Sequence, residues 1–501
     1  MSYLLTLPLV IPFSTAILAL LAGNHRFLRR SIALAGSLAL LATAGVIFHT
    51  VTNDGILVAQ MGRWAAPFGI TMVADHITAI MVLLTAVIGL CGIVYSFADI
   101  DAKRESFGYY SLLHLLIGAV CGAFLAGDLF NLYVWYELVL ISSFSLLILG
   151  GEKAQIDGAI KYLAINLVAT MILLCGIVLL YGLTGTLNMA DLHGKVKTVQ
   201  NTGLLTGISV MFIMAFGIKS AMFPLFFWLP SSYHTPPVAV SAIFSGLLTK
   251  VGIYSFIRLF TLVFTQDVGY THQLLLVMAG FTMVTGVLGA AAHNEVRRIL
   301  LFHIISQIGY LAMGIALFSP MAMTGTIYFL GHIIVVKTAL ILAGGVINRR
   351  CGTMELASVG GFYQSAPFLA VLFFLCAFSL AGFPPLSGFW AKFALVRAGL
   401  EGQSYGIVAT ALGVGLMTAY SMTKIWGEAF WKPAPAGMPA QPAVQETTAS
   451  RWLLYSPIVV LTVLTVVMGF WAEPFMELSI KAANELFHPA NYVRAVLEAV
   501  L

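Results

Sequence analysis

Long apolar stretches, separated by short polar connections, follow one another from the first residues of the chain to about Met476. An apolar helix of about 20 residues is long enough to cross a bilayer. The pattern therefore predicts about fourteen membrane-spanning helices, and the fold class is an all-α polytopic membrane protein. The predicted spans are residues 3–22, 31–51, 74–98, 110–126, 128–149, 160–183, 205–229, 238–262, 273–292, 299–317, 323–346, 366–398, 405–427 and 453–476.

Two longer polar segments lie near the C-terminal end of the chain. Residues 428–451 include the run PAPAGMPAQP, whose composition is typical of an extended linker. Residues 478–501 are too polar to span a membrane and are predicted to form a C-terminal surface tail. Nothing else interrupts the pattern, so residues 1–501 are interpreted as a single membrane domain.

Two of the predicted spans contain prolines close to an intramembrane lysine. In the seventh span, GIKSAMFPLFFW, Lys219 precedes Pro224 by five residues. In the twelfth span, AGFPPLSGFWAKF, Pro384 and Pro385 precede Lys392. Proline removes a backbone donor and breaks a helix, and a broken helix is tolerated in a bilayer only inside protein or beside a water-filled cavity. Both breaks therefore indicate a polar interior.

The two broken spans are five spans apart, which is an odd number. Units that start five spans apart have opposite orientations in the membrane. The pattern therefore predicts a first inverted repeat at 110–262 and a second at 273–427, flanked by helices within 1–98 and 453–476. Discontinuous helices at matching places in inverted halves indicate a transport site.

Glu137 is a carboxylate in the middle of a predicted span. It follows Asp128 by nine residues, which is about 14 Å along a helix and close to the middle of the bilayer. Its expected partner is Lys219, and at an effective dielectric constant near 20 two charges about 4 Å apart attract by about 4 kcal/mol. A fixed structural ion pair is the alternative. We favour a functional pair because apolar packing often replaces a purely structural buried pair at little cost.

Further ionisable side chains extend this pattern into later spans. Lys250 lies in SGLLTKVGIY, and His332 and Lys337 lie in GHIIVVKTAL. His332 and Lys337 project about 140° apart around one helix, so they are interpreted as successive steps of a path. Histidine titrates near neutrality and suits such a relay. His303 lies closer to the cytoplasmic end of its span and is a candidate for proton uptake; for each histidine the alternative is a buried residue with satisfied nitrogens.

Composition and charge narrow the function classes. Of the 501 residues, 60% are hydrophobic and 9% are charged, whereas soluble proteins carry about 25% charged residues. The basic residues form no cluster suited to nucleic acid. The five cysteines form no CxxC pair and have no histidine at metal-ligand spacing, so no metal or other cofactor is predicted.

The basic residues of the connections also predict the orientation. One set of alternate connections is rich in arginine and lysine, whereas the other holds little more than Arg63, Lys195 and Lys197. The richer set is expected in the cytoplasm. Because the number of spans is even, both termini are then expected outside the cytoplasm. Arg258 and Arg397 lie near outer ends of their spans and are expected to extend to the interface.

Five motifs together resemble a known family. They are WYEL around Glu137, the long run GIKSAMFPLFFWLPSSYHTPPVAVSAIFSGLLTKVG, FHIISQIGY, GHIIVVKTAL and GFPPLSGFWAKF. This combination resembles the antiporter-like subunits shared by Mrp-type multisubunit cation/proton antiporters, respiratory complex I and membrane-bound hydrogenases. The resemblance covers nearly the whole chain and is strongest to the D-type subunit of Mrp antiporters.

The resemblance implies a fold, a function and a set of site residues. It implies fourteen helices, two inverted five-helix repeats and a central hydrophilic axis. The implied function is proton translocation in an antiporter that exchanges Na+ or K+ for protons across a bacterial cell (inner) membrane. The implied partners are Mrp subunits of the A, B, C, E, F and G types, the transported ions and the lipid bilayer, without nucleic acid. By motif, the resemblance implies an essential pair at Glu137 and Lys219, a connecting Lys250, a central relay at His332 and Lys337, and an exit-side Lys392.

Two alternatives remain at this point. The chain could be a proton-pumping subunit of complex I (NADH-quinone oxidoreductase) or of a membrane-bound hydrogenase, which would use the same residues with a redox driving force. It could also be a scaffold subunit that conducts no ions. A scaffold would tolerate apolar replacements of Glu137 and Lys219, and the repeated intramembrane charges argue against it.

Overall fold

The computed structural model describes residues 2–23, 25–435 and 448–499. Residues 436–447 of the predicted linker lie outside the described residues. The first part of the chain forms the helices α1 (Leu7–Leu21), α2 (Arg26–Asp54), α3 (His76–Asp99), α4 (Ala102–Ser106), α5 (Tyr109–Leu125), α6 (Leu129–Ile148), α7 (Lys153–Thr184), α8 (Met189–Lys195), α9 (Thr202–Lys219), α10 (Trp228–Tyr233), α11 (Val238–Ile243) and α12 (Thr249–Leu262).

The second part is also helical. Its elements are α13 (Val268–Ala292), α14 (Val296–Ala316), α15 (Pro320–Cys351), α16 (Phe362–Ser365), α17 (Pro367–Ala381), α18 (Ser387–Glu401), α19 (Tyr405–Ile425), α20 (Thr448–Phe470), α21 (Ala472–Phe487) and α22 (Ala490–Leu497). Short polar side chains cap the helices where the chain leaves the membrane. Asp128, for example, accepts the Asn131 N–H at 2.7 Å at the start of α6.

The predicted number of spans is confirmed. In the described part of the chain, twelve helices are long and apolar enough to cross a membrane, and two shorter apolar helices, Tyr109–Leu125 and Pro367–Ala381, fill the two remaining predicted positions. The protein is therefore a multi-pass membrane protein. The last span ends at Phe470, before the predicted residue 476, because the chain turns at Trp471 and continues as α21. The predicted surface tail forms most of α21 together with α22.

Helix α15 is the centre of the bundle. Every residue from Ala322 to Ile347 is buried. Helix α15 packs against α3 and α11 of the first part of the chain and against α14, α17, α18, α20 and α21 of the second part. A helix that is apolar all round and buried on all sides is typical of a core position. The side chains of α15 therefore meet both halves of the chain.

A small β-hairpin, which the sequence analysis did not predict, lies where the chain ends meet. Strand β1 (Leu57–Gln60) pairs antiparallel with β2 (Thr71–Ala74). The N-terminal turn Ser2–Thr6 and helix α22 both contact β1, and the Gln60 side chain donates to the Val496 carbonyl at 3.2 Å. Both ends of the described chain therefore lie on the same face of the bundle.

The expectation that Arg258 extends to the membrane interface is wrong. Its guanidinium is buried and donates to both carboxylate oxygens of Asp75, at 2.6 and 2.8 Å. Asp75 also caps α3 by accepting the Thr78 N–H at 3.1 Å. A carboxylate fixed across the helix interface holds the guanidinium inside, because a bidentate pair satisfies several donors at once. Arg397, by contrast, is exposed and pairs with Glu401 at 2.8 Å.

Candidate functional site

The seventh predicted span is discontinuous. Helix α9 ends at Lys219 and the next helix begins at Trp228, with Pro224 in the segment between them. Two hydrogen bonds satisfy polar groups around the break: Phe223 N donates to Thr282 Oγ1 at 2.9 Å, and Trp228 Nε1 donates to the Ile218 carbonyl at 3.1 Å. Neighbouring side chains therefore pair with backbone groups on both sides of the proline.

The twelfth predicted span is discontinuous in the same way. Helix α17 ends at Ala381 and α18 begins at Ser387, with Pro384 and Pro385 between them. Lys392 Nζ turns back to the end of α17 and donates to the carbonyls of Leu380, at 2.9 Å, and Ala381, at 3.1 Å. A cation at a helix C-terminus meets the negative end of the helix dipole and the unpaired carbonyls there.

The span after each break contains a π-helical segment. The segments are Phe244–Leu248 and Trp426–Trp431. Single π-helical turns inside α-helices are frequent at functional sites. The first one frees the Ser245 carbonyl, to which the buried Lys250 amine donates a hydrogen bond. Whether the two halves are inverted repeats with the predicted boundaries stays a prediction, which these parallel breaks support.

His332 and Lys337 of α15 point to different neighbours, as their helical spacing predicts. Lys337 Nζ donates to the Leu300 carbonyl of α14 at 3.0 Å. His332 Nδ1 lies 2.8 Å from Ser387 Oγ at the start of α18. Both residues are fully buried. Helix α15 therefore brings an amine to the side of α14 and an imidazole to the second break.

Glu137 and Lys219 do not form the close pair that we expected. No ion pair within 4.0 Å joins them, although their charges interact at longer range. The ring of Tyr136 lies over the Lys219 ammonium, with Nζ 5.2 Å from the ring centroid. Glu137 is half-buried, beside the exposed Val134 and Ile141 on α6.

Tyr136 is a site residue that the sequence analysis did not select. Its hydroxyl donates to the Val251 carbonyl at 3.1 Å and lies 2.8 Å from Ser255 Oγ. These bonds fix the ring against α12, which also carries Lys250. A cation over an aromatic face is stabilised by the ring quadrupole. The signal in the sequence was the aromatic residue directly before Glu137 in WYEL.

The lysines fall into two electrostatic groups. Lys219 interacts with Glu137, whereas Lys337 interacts with both Lys250 and Lys392. Within the described ranges, none of these four lysines has a carboxylate oxygen within 4.0 Å, and Lys250, Lys337 and Lys392 donate instead to backbone carbonyls. No fixed ion pair therefore holds them in one protonation state.

Several polar atoms on fully buried residues of α14 and α15 have no protein partner among the described residues. They are both ring nitrogens of His303, the side chains of Ser306 and Gln307, and His332 Nε2. Buried polar atoms without a hydrogen bond are costly, and ordered water is their usual partner. His303 lies seven residues into α14, about 10 Å from its first residue. In the same part of the chain, no group of three or more His, Cys, Asp or Glu residues is arranged to hold a metal ion.

The sequence is similar to those of known membrane proteins. The profile of the NADH:quinone oxidoreductase/Mrp antiporter transmembrane family matches residues 126–418. The chain is 43% identical over 498 residues to the D subunit of the Na(+)/H(+) antiporter of Alkalihalophilus pseudofirmus, and the match covers 99% of this chain and 100% of the relative. It is 39% identical over 501 residues to the protein of the same name from Bacillus subtilis, with 99% and 100% covered.

Two solved structures share the fold. A chain of the Mrp complex from Dietzia sp. has a TM-score of 0.89 at 32% identity, and the match covers 99% of this chain and 100% of that chain. A chain of respiratory complex I from Thermus thermophilus has a TM-score of 0.82 at 23% identity, with 96% and 99% covered. At this lower identity the likeness concerns the fold alone.

Proposed function

Since the chain belongs to the NADH:quinone oxidoreductase/Mrp antiporter family of membrane subunits, we propose that it is the D-type subunit of a multisubunit Na+(K+)/H+ antiporter. In this role it moves protons through the membrane along Glu137, Lys219, Lys250, Lys337, His332 and Lys392. It is a transporter subunit and catalyses no chemical reaction of its own. The membrane potential and the proton gradient drive the exchange.

The observation that carries the proposal is a row of four lysines, the buried Lys219, Lys250 and Lys337 and the partly buried Lys392, that have no carboxylate oxygen within 4.0 Å among the described residues. A charged side chain inside a membrane protein is costly and usually belongs to a substrate or ion path. Lys250, Lys337 and Lys392 donate to carbonyls, which accept a hydrogen bond from an amine in either protonation state. Each can therefore lose and regain a proton without losing its position.

Glu137 controls the first step of this path. Its charge acts on Lys219 without touching it, so a small movement of either side chain changes how strongly Lys219 holds its proton. Lys219 ends α9 directly before the break, where the chain is free of regular helical bonds. The ring of Tyr136 then stabilises the ammonium until the proton moves towards Lys250. His303 belongs to the uptake path from the cytoplasm.

The same proposal includes partners and orientation. The chain works with Mrp subunits of the A, B, C, E, F and G types in a bacterial inner membrane, and both termini lie outside the cytoplasm. A single cysteine at Arg298, in a variant without the natural cysteines, should react only with reagent on the cytoplasmic side. One at Lys195 should react only from outside. Reaction of the cysteine at position 195 with reagent on the cytoplasmic side would contradict the proposed orientation.

The test of the proposed function is cation-dependent collapse of a pH gradient in vesicles that contain the whole complex and no other antiporter. Lys392→Ala should abolish the exchange while the complex stays assembled. Lys424→Ala is the matched control, because Lys424 Nζ also donates to two backbone carbonyls, at 3.2 and 2.9 Å, but near the cytoplasmic end of α19 and outside the row. Equal activity of the two variants would remove Lys392 from the path.

The alternative function is proton pumping in a redox-driven complex, and the same residues would serve it. The two functions differ in what purifies with the chain. Small hydrophobic membrane subunits, without flavin or iron–sulfur absorbance, support the antiporter. Copurifying iron–sulfur and flavin proteins would instead establish the redox-driven alternative.

A further inference from the structure

Two serine side chains connect His332 to both sides of the second helix break. Ser387 Oγ lies 2.8 Å from His332 Nδ1 and 3.0 Å from Ser379 Oγ. Ser387 is the first residue of α18 and Ser379 lies two residues before the end of α17, so the two hydroxyls bridge the break. All three side chains are fully buried. Ser379 lies directly before Leu380 and Ala381, whose carbonyls accept the hydrogen bonds from Lys392.

Close packing makes this bridge possible. A Cβ atom on Gly388 would lie 1.8 Å from the Ser379 carbonyl oxygen and 3.0 Å from His332 Nε2. Only glycine lets α18 approach α17 and α15 this closely. The Gly388 N–H also points to Ser379 Oγ, at 3.4 Å. The imidazole, the two hydroxyls and this N–H therefore form one hydrogen-bonded unit.

We propose that Ser387 and Ser379 are positioning residues that couple the protonation of His332 to the geometry of the second helix break. The proposal rests on the proposed function and adds two residues to it. Each serine hydroxyl has one proton to donate and two lone pairs to accept with. The directions of the His332–Ser387 and Ser387–Ser379 hydrogen bonds are therefore set by the protonation of His332 Nδ1, whereas the Gly388 N–H donates in both states.

When His332 Nδ1 is unprotonated, it accepts from the Ser387 hydroxyl, and Ser387 in turn accepts from Ser379. When Nδ1 carries a proton, it donates to Ser387, whose own O–H must turn to Ser379. Ser379 Oγ then accepts from both Ser387 and Gly388, which both lie on the far side of the break. The two hydroxyls rotate and keep their O–H bonds, and the proton on Nδ1 is the one that the proposed path delivers to His332. The charged imidazole also strengthens the first bond, so protonation tightens the bridge between α17 and α18.

The test is a double-mutant cycle in the whole complex, with exchange measured against pH in vesicles. Ser387→Ala should lower the exchange rate by about tenfold and shift the pH of half-maximal activity. Ser387→Thr keeps a hydroxyl and should keep most of the activity. In a His332→Ala background, Ser387→Ala should cause no further loss, because the residue acts through His332. Ser421→Ala is the control, since among the described residues that buried hydroxyl bonds only to the Met417 carbonyl of its own helix.

The thermal unfolding midpoint of the purified complex gives a second readout that needs no transport. The coupling between His332→Ala and Ser387→Ala should be larger at low pH than at high pH, and Ser379→Ala should show the same trend. Additive effects of the two substitutions on rate and midpoint, or a pH profile that Ser387→Ala leaves unchanged, would overturn the proposal. If the wild-type complex exchanges no cations, the proposed function fails, and the midpoints still decide this inference.

Discussion

Asp75 and Arg258 form a buried, bidentate ion pair that joins the start of α3 to α12, with N–O distances of 2.6 and 2.8 Å. Arg258 also lies 5.0 Å from the ring centroid of Tyr492, so it holds the C-terminal helix α22 as well. Lys250 lies eight residues before Arg258 on α12, a little more than two helical turns away. The pair therefore fixes the C-terminal half of the helix that carries a central lysine of the proposed path.

Removal of one partner should destabilise the protein strongly. Arg258→Met leaves a buried carboxylate without its counter-charge, which costs about 3–5 kcal/mol. The double variant Asp75→Asn with Arg258→Met should recover much of the loss. Arg397→Met is the control, because its pair with Glu401 is exposed and worth less than about 1 kcal/mol. Thermal unfolding midpoints of the purified complex test this; equal midpoints for both single arginine variants would contradict it.

The ion pair between Asp75 and Arg258 should make the stability of the folded protein depend on pH. Burial alone would raise the pKa of the Asp75 carboxyl, but the Arg258 guanidinium and the Thr78 N–H hold it below its ordinary value of 3.8. A carboxyl with a lowered pKa stabilises the folded protein above its unfolded pKa and loses this contribution as the pH falls through the folded pKa. The difference in midpoint between wild type and Asp75→Asn should be constant from about pH 5 to 8. It should narrow below about pH 4; a difference that narrows above neutral pH would contradict this sign.

The span pattern could be predicted from the sequence because membrane helices need long apolar runs and proline breaks them visibly. The partner of Arg258 could not be predicted from the sequence. Its interfacial position in the span suggested solvent, and Asp75 lies 183 residues away in sequence. Hydropathy places residues along the membrane normal but says nothing about which helices become neighbours.

The distance between Glu137 and Lys219 also escaped sequence reasoning. The position of a residue along its span does not define the side of the helix on which it lies. Glu137 lies on the half-exposed side of α6, and Tyr136, one residue earlier, takes the inward position over Lys219. The serine bridge at His332 likewise depends on how closely α17, α18 and α15 approach one another, which no local pattern encodes.

A single hydroxyl supports the first helix break. Thr282→Val removes the acceptor of the Phe223 N–H and leaves that donor unsatisfied, which should cost about 1–3 kcal/mol. Thr285→Val, one turn along α13, removes a hydroxyl that bonds only within its own helix and should cost less. The midpoints of the two variants check this. A larger loss for Thr285→Val would show that the hydroxyl does not support the break.

Close packing of α13 against α14 depends on Gly286. A Cβ atom there would lie 2.3 Å from Ser306 N, which is backbone and cannot move aside cheaply. Gly286→Ala should therefore separate the helices and lower the free energy of unfolding by about 1–3 kcal/mol, as overpacking does. This loss should appear as a lower thermal unfolding midpoint. Gly413→Ala is the control, because no atom lies within 4 Å of its Cβ position and alanine favours a helix. A stable Gly286→Ala complex would show that α13 adjusts freely.

The most direct measurement is the exchange activity of an assembled Lys219→Arg complex. Arginine keeps the positive charge beside Tyr136 and Glu137 but cannot release a proton at accessible pH. If Lys219 carries protons, Lys219→Arg should be nearly as inactive as Lys219→Ala in cation-dependent collapse of a pH gradient. Lys424→Arg, outside the row, should remain active. Wild-type exchange by the Lys219→Arg complex would contradict proton transfer through Lys219 and leave it a structural charge.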